Sequence, residues 1–207
     1  NSVVIRLRCR QFNHNIFQKN EFWNIEHDLL DTSFNNMYRQ IFEWAASEKE
    51  VRSIWLGTAP PNKPDKLTIP KYEELLPNQQ DILQKMLASN DYFLLWGPPG
   101  TGKTSIMVKY FVQYILENTE EKIMLLAYTN RAVDEICDSI EKISSDIKNT
   151  YFRIGSRFST GKAFQGQLLD DKIKDVGNRK ALKDMILGHR IVVATVSSIV
   201  SKPEILE

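Results

Sequence analysis

The sequence predicts an α/β fold, a parallel sheet with helices on both of its faces, and three observations predict it. Short continuous apolar runs recur through the second half of the chain. Helical patterns separate them. A glycine-rich stretch, "GPPGTGKT" from Gly97 to Thr104, stands between the first apolar run and the helical pattern that follows. Strands of a parallel sheet are buried on both faces, so they read as unbroken apolar runs rather than as alternation.

The elements follow in chain order. Residues 3–10 alternate, with Val3, Ile5, Leu7 and Cys9 on one face and Val4, Arg6, Arg8 and Arg10 on the other. Period two predicts a half-buried strand, whose arginine row reads as a solvated sheet face. Over 28–55, Leu30, Phe34, Met37, Tyr38, Ile41, Phe42 and Trp44 fall near helical spacing and predict one or two amphipathic helices. Trp23, Trp44 and Trp55 are expected in packing rather than as base-stacking platforms. Residues 57–77 hold five of the eight prolines and predict an extended linker. A helix is expected over 78–89. The strand candidates are then 92–96, 122–128, 151–154 and 190–195, separated by helical patterns at 103–117, 130–143 and 167–187. Trp96 is expected to end a buried strand in the core. There is no internal repeat and no low-complexity tract.

Composition bounds the class. The 207 residues carry 27 Lys+Arg against 26 Asp+Glu and are 42% hydrophobic, an ordinary globular balance. No apolar run approaches the ~20 residues of a membrane span, and no signal-peptide pattern opens the chain. Cys9 and Cys137 have neither metal-ligand spacing nor a disulfide framework. The cytoplasm is the expected compartment. The chain opens inside a strand-like pattern without a methionine and closes just after an apolar run, so a piece of a longer protein is expected. Lys142 to Arg190 holds eleven Lys/Arg against five Asp/Glu. A face turned toward a polyanion and a solvated basic helix face account for that excess equally well.

"GPPGTGKT" fits the G-x-x-x-x-G-K-[ST] phosphate loop, in the strand–loop–helix setting that the pattern needs. Gly97, Gly100 and Gly102 let the backbone turn its N–H groups inward around a phosphate, with Pro98, Pro99, Thr101 and Ser105 completing the wrap. The helix that follows adds its positive N-terminal end. Lys103 supplies a point charge for the β- and γ-phosphates, and the Thr104 hydroxyl is a ligand for Mg²⁺. Lys103 and Thr104 are therefore the expected catalytic pair, with ATP and Mg²⁺ as cofactors. Hydrolysis also needs an Asp at the end of an apolar strand. Asp134-Glu135 lies within a helical pattern, and Asp170-Asp171 follows only two leucines in a polar helical stretch. Neither ends such a strand, and this carboxylate is expected beyond Glu207 or lost.

The segments around the loop carry a resemblance. "LLAYTNRAVDEI", 125–136, is a strand, a Thr-Asn pair and a helix start; "LLPNQQDIL" precedes the loop, with Gln80 seventeen residues before Gly97. Together with "GPPGTGKT" these blocks resemble the superfamily 1 helicases, in the branch of the RNA-surveillance helicase and the replication-type helicase–nucleases. "YFRIGS", 151–156, and "RIVVATVSSI", 190–199, are similar to later strands of that branch.

The resemblance implies a first RecA-like motor domain over 78–207. It would be preceded by the end of a β-barrel-like accessory domain over 1–27, stalk helices over 28–56 and the linker over 57–77. It implies ATP-driven 5′→3′ translocation, with a second RecA-like domain of the same protein as partner. Gln80 would read adenine through its amide; Pro77 shifts the usual pattern, so Gln79 stays open as the alternative register. Thr129, Asn130 and Arg131 would contact single-stranded DNA or RNA at a strand's carboxyl edge. Thr129 and Asn130 also suit a helix N-cap. Thr195 and Ser197 hold the matching place on the last strand, where a plain strand exit serves as well. Arg153 reads as an exposed strand arginine, with nucleic-acid contact as its alternative. A phosphate-loop switch or kinase, or a nucleotide-binding module without helicase activity, keeps the loop but has no need of "TNRAVDEI".

Overall fold

The computed structural model describes residues 33–98, 100–174 and 177–201. The expected strand at 3–10, the accessory β segment, Trp23 and Pro99 lie outside the described residues.

Among the described residues, α1 (Ser33–Ala46) and α2 (Lys49–Trp55) precede the linker. The periodicity that predicts them is real, but their apolar side chains are not covered by the described residues. Tyr38, Phe42, Trp44 and Trp55 are exposed, so the expectation of packed tryptophans at 44 and 55 is not met. Among the described residues Trp55 stacks on Tyr92, with ring centroids 5.9 Å apart. The linker runs without regular structure to α3 (Pro77–Leu87), which starts on Pro77 at the first helical position. The Gln79 side chain accepts from the Leu76 N–H at 3.0 Å and closes that end.

Among the described residues the sheet has three parallel strands in the order β1 (Ile123–Ala127), β3 (Ile191–Thr195), β2 (Tyr151–Ile154). Ile123, Ile191 and Tyr151 are in register, as are Leu125, Val193 and Arg153. Those residues face the main core, formed with Val112 and Ile115 of α4 (Lys109–Asn118) and Val133, Ile136, Cys137 and Ile140 of α5 (Asn130–Glu141). The opposite face presents Phe152, Ile154 and Ala194 to α6 (Leu169–Lys172), α7 (Arg179–Gly188) and α8 (Val196–Val200). Helices cover both faces, as the unbroken apolar runs predict. The helical pattern at 167–187 divides into α6 and α7, because Gly177 and the Asn178 cap start a new helix.

The first expected strand is corrected. Residues 92–98 take no regular structure, Leu94 is exposed and Trp96 is 95% exposed. A strand exists only through a ladder with a neighbour, and among the described residues none pairs with this segment. Leu95 does pack inward, joining a second cluster of Ile69, Leu75, Leu83, Met107 and Tyr110. That cluster ties the linker and α3 to the helix after the phosphate loop.

One side chain fixes the direction of that helix. Arg190, just before β3, donates to the carbonyls of Leu116 (3.0 Å), Thr119 (2.7 Å), Ile115 (3.2 Å) and Glu121 (3.0 Å). A guanidinium at a helix C-terminus satisfies the last carbonyls and suits the negative end of the dipole. The C-terminus of α4 is therefore pinned at the amino edge of the sheet. Its start, roughly 15 Å away at 1.5 Å per residue, lies toward the carboxyl edge. Arg190→Ala is expected to cost about 2 kcal/mol, and so to lower the unfolding midpoint by about 4–8 °C for a chain of this size. An unchanged midpoint in a thermal melt would refute this role.

Candidate nucleotide and nucleic-acid site

The loop from Gly97 to Ser105 leads into a widened first helical turn, Lys103–Val108, where the Gly102 carbonyl accepts from both Ile106 (2.9 Å) and Met107 (3.1 Å). Gly100 and Gly102 have φ of +79° and +81°, the left-handed region in which only glycine is unstrained. A Cβ on Gly102 would also stand 2.8 Å from Ile106 Cδ1, and one on Gly97 would stand 2.9 Å from Thr101 Oγ1. A side chain at Gly97 or Gly102 would thus crowd the loop. The Thr101 hydroxyl donates to the Pro98 carbonyl at 2.9 Å. The Lys103 ammonium donates to the carbonyls of Gly97 and Pro98, the latter at 2.7 Å. It is folded over the mouth of the loop, where a phosphate oxygen can replace the carbonyls. These residues fit a nucleotide's phosphates. Thr104 is the one metal-ligand candidate in the loop, and among the described residues no group of three His, Cys, Asp or Glu is placed to hold a metal ion.

Helix α3 meets the loop's helix through the second cluster. The Gln80 amide donates to the Pro70 carbonyl at 2.7 Å and accepts from the Tyr72 N–H at 3.2 Å. It therefore clamps the linker, and one N–H and one lone pair remain for another partner. Tyr110 makes a parallel tie, its hydroxyl donating to Glu74 at 2.5 Å. Burial and that carboxylate push the Tyr110 pKa up to about 12, so the donor keeps its proton.

The parallel strands place their carboxyl ends on one edge. Thr129 follows β1 and caps α5, its Oγ1 accepting from Ala132 N–H at 3.2 Å. Thr195 ends β3 and caps α8 in the same way, accepting from Ser198 N–H at 3.2 Å. Ala127 and Thr195 are register partners, so the Thr195 cap stands about one strand spacing, ~4.8 Å, from the residue two before the Thr129 cap. Ser197 and Arg131 are exposed beside them, and Arg131 reaches Glu135 at 3.5 Å. The N-cap role and a ligand role are compatible at Thr129, whose hydroxyl keeps its own proton to donate; the Thr195 hydroxyl is buried and also bonds the Ser198 hydroxyl at 2.7 Å.

Arg153 overturns its sequence reading. It is fully buried beneath α5 rather than exposed on a strand face. Its guanidinium pairs with Asp134 and donates to the Asn130 carbonyl at 3.4 Å. Asp134 in turn accepts from the Gly161 N–H at 3.2 Å. A buried charge demands such a partner. The signal was present in the sequence: an arginine inside the otherwise apolar "YFRI", with a carboxylate one helical turn into the next-door helix. Asp134 thereby has a structural partner, and Asp171 likewise pairs with Arg157 and Lys174.

Comparisons with known proteins agree with this geometry. The profile of a family described as an AAA domain matches residues 74–186. An uncharacterized ATP-dependent helicase of Methanocaldococcus jannaschii is 31% identical over 121 residues, covering 57% of this chain and 18% of that protein. A DNA replication ATP-dependent helicase/nuclease of Arabidopsis thaliana is 30% identical over 126 residues, 56% of this chain and 9% of its own length. A regulator of nonsense transcripts 1 homolog of Neurospora crassa is 29% identical over 121 residues, 54% of this chain and 11% of its own. The chain thus spans less than a fifth of each of these relatives. The resemblance to superfamily 1 helicases drawn from "GPPGTGKT" and "TNRAVDEI" is borne out.

Proposed function

The chain belongs to the AAA domain family, a family of P-loop NTPases, and on that premise we propose that it is the ATP-binding part of a helicase motor that moves along single-stranded nucleic acid. One observation carries the reading. The start of the phosphate-loop helix and the Thr129–Arg131 and Thr195–Ser197 turns all lie toward one edge of the sheet. Open α/β sheets bind ligands at that edge, so nucleotide and nucleic acid would act on the same set of loops.

The residues have distinct tasks in this proposal. Lys103 leaves the Gly97 and Pro98 carbonyls for the β- and γ-phosphates, while the loop's N–H groups hold the phosphate oxygens. Thr104 would hold Mg²⁺, which supplies charge neutralisation on those oxygens when bound. Gln80 uses its remaining amide capacity on adenine. Thr129, Asn130, Arg131, Thr195 and Ser197 take the sugar–phosphate backbone, so sequence preference is low. A second RecA-like domain of the same protein would close over the nucleotide. The domain layout is the one the sequence implies, with the motor domain from 78 onward. Among the described residues no helix is long and apolar enough to cross a membrane, and the cytoplasm is the compartment proposed.

DNA is the substrate proposed, with two-domain closure on ATP driving 5′→3′ steps. The test is an unwinding assay of the full-length protein on matched duplexes with DNA or RNA tails of either polarity. ATP-dependent unwinding from a 5′ DNA tail, lost in Lys103→Ala, is expected. Activity confined to RNA tails would reassign the substrate, and no unwinding on any tail would refute the helicase reading in favour of a nucleotide-binding switch.

A further inference from the structure

Tyr72, in the second half of the linker, joins the two ends of the nucleotide site. Its N–H donates to the Gln80 side chain at 3.2 Å, and the same amide donates to the Pro70 carbonyl at 2.7 Å. Its ring lies against that of Tyr110, with centroids 4.7 Å apart. Two residues on, the Glu74 carboxylate accepts from the Tyr110 hydroxyl at 2.5 Å and pairs with Lys109 at 3.1 Å. Lys109 and Tyr110 open α4, directly behind the widened turn Lys103–Val108 that carries the phosphate-loop lysine. Residues 70–74 therefore touch the Gln80 amide on one side and the phosphate-loop helix on the other. Further upstream the linker is anchored separately. The Asp65 N–H donates to the Ala88 carbonyl at 2.9 Å, and the Asn90 amide donates to the Lys63 carbonyl at 2.9 Å. Ala88 caps the end of α3 opposite to Gln80.

A free glutamine side chain has several rotatable bonds, and ordering them costs entropy whenever its amide binds. Here the linker has already ordered them. The amide keeps one N–H and one lone pair, and a partner for these finds the side chain in place. Each hydrogen bond also polarises the amide and strengthens the others it makes. Adenine and linker thus favour one another at Gln80. Such coupling is reciprocal: a linker that raises adenine affinity is itself held more tightly when adenine is bound. A triphosphate without its base offers Gln80 nothing.

We propose that Pro70–Glu74 is a nucleotide-sensing strap, which adenine tightens through Gln80 and which Tyr72 and Glu74 fasten to the phosphate-loop helix. Tyr72 is a positioning residue in this device, since it acts on the nucleotide only through Gln80. The proposal rests on Gln80 reading adenine. It adds that base recognition is felt in the linker between α2 and α3.

The test uses the full-length protein carrying this chain. Amide hydrogen exchange is followed with saturating adenylyl imidodiphosphate, guanylyl imidodiphosphate or inorganic tripolyphosphate. The adenine analogue is expected to slow exchange at the Tyr72 N–H about tenfold, within the usual range of coupling between sites. The other two ligands should leave it unchanged, and the Asp65 N–H should ignore all three. Tyr72→Ala is expected to weaken binding of the adenine analogue about fivefold and to leave tripolyphosphate binding as it was. Glu74→Ala, which keeps the ring, is expected to act in the same direction and replaces Tyr72→Ala if that variant does not fold. Equal slowing by all three ligands would place the signal in the phosphates and overturn the proposal. Equal loss of adenine-analogue and tripolyphosphate binding in these variants would mean that the linker only supports the fold, and would overturn it too. An undiminished preference for adenine over guanine in Gln80→Ala would refute the adenine reading itself. A preference lost in Gln80→Ala, with a Tyr72 N–H that ignores adenine in the unmodified protein, would refute only the strap.

Discussion

Lys103→Ala is expected to weaken ATP binding about a hundredfold while moving the unfolding midpoint little. The lysine's partners here are the carbonyls of Gly97 and Pro98 at the loop's mouth. These are groups that water can serve, so the fold loses little. With nucleotide bound, the ammonium would make charge-assisted bonds to two phosphates, each worth about 1.5–3 kcal/mol. Losing about 3 kcal/mol is roughly two decades in affinity. Titration with a fluorescent ATP analogue reads this directly. An affinity within threefold of the unmodified protein would show that the loop does not bind phosphate in the manner described.

Arg153→Met is expected to be the most destabilising single change in the sheet, by about 3–5 kcal/mol. It leaves Asp134 charged and partly buried with only the Gly161 N–H to accept from, the situation in which breaking a buried pair is most costly. It also removes the donor to the Asn130 carbonyl and so unties β2 from the first turn of α5. For a chain of this length the midpoint should fall by roughly 6–20 °C. Arg153→Met combined with Asp134→Leu should recover much of the loss, because removing both charges also removes their desolvation cost. A double-mutant cycle by thermal or denaturant unfolding measures the coupling. Additive losses in the two single variants would show that the pair is not an energetic unit.

The sequence made the parallel sheet legible because its strands are buried on both faces and its helices carry their own caps. Thr129, Asn178 and Thr195 each stand where a helix begins and accept from its first turn. The phosphate loop was legible for a related reason: its glycines meet a local backbone need, visible as spacing alone. What stayed hidden depends on partners distant in sequence. Residues 92–96 read as a buried strand from apolar content, but a strand needs a ladder, and composition does not say who supplies it. Trp96 reads as buried with it. Arg153 reads as solvent-facing when the strand is taken alone, without the carboxylate one helical turn into the neighbouring helix, and Asp134 reads only as a metal carboxylate. Arg190 looked like one more charge in a basic segment, whereas it closes the end of α4 from across the sheet.

The claim that this edge joins nucleotide to nucleic acid is tested most directly by steady-state ATP hydrolysis of the full-length protein with and without single-stranded DNA. The account predicts turnover that rises at least tenfold on adding the strand and is abolished by Lys103→Ala. It also predicts that stimulation weakens when Thr129 and Asn130 are replaced by alanine together. Hydrolysis that is indifferent to single-stranded DNA and RNA alike would contradict it.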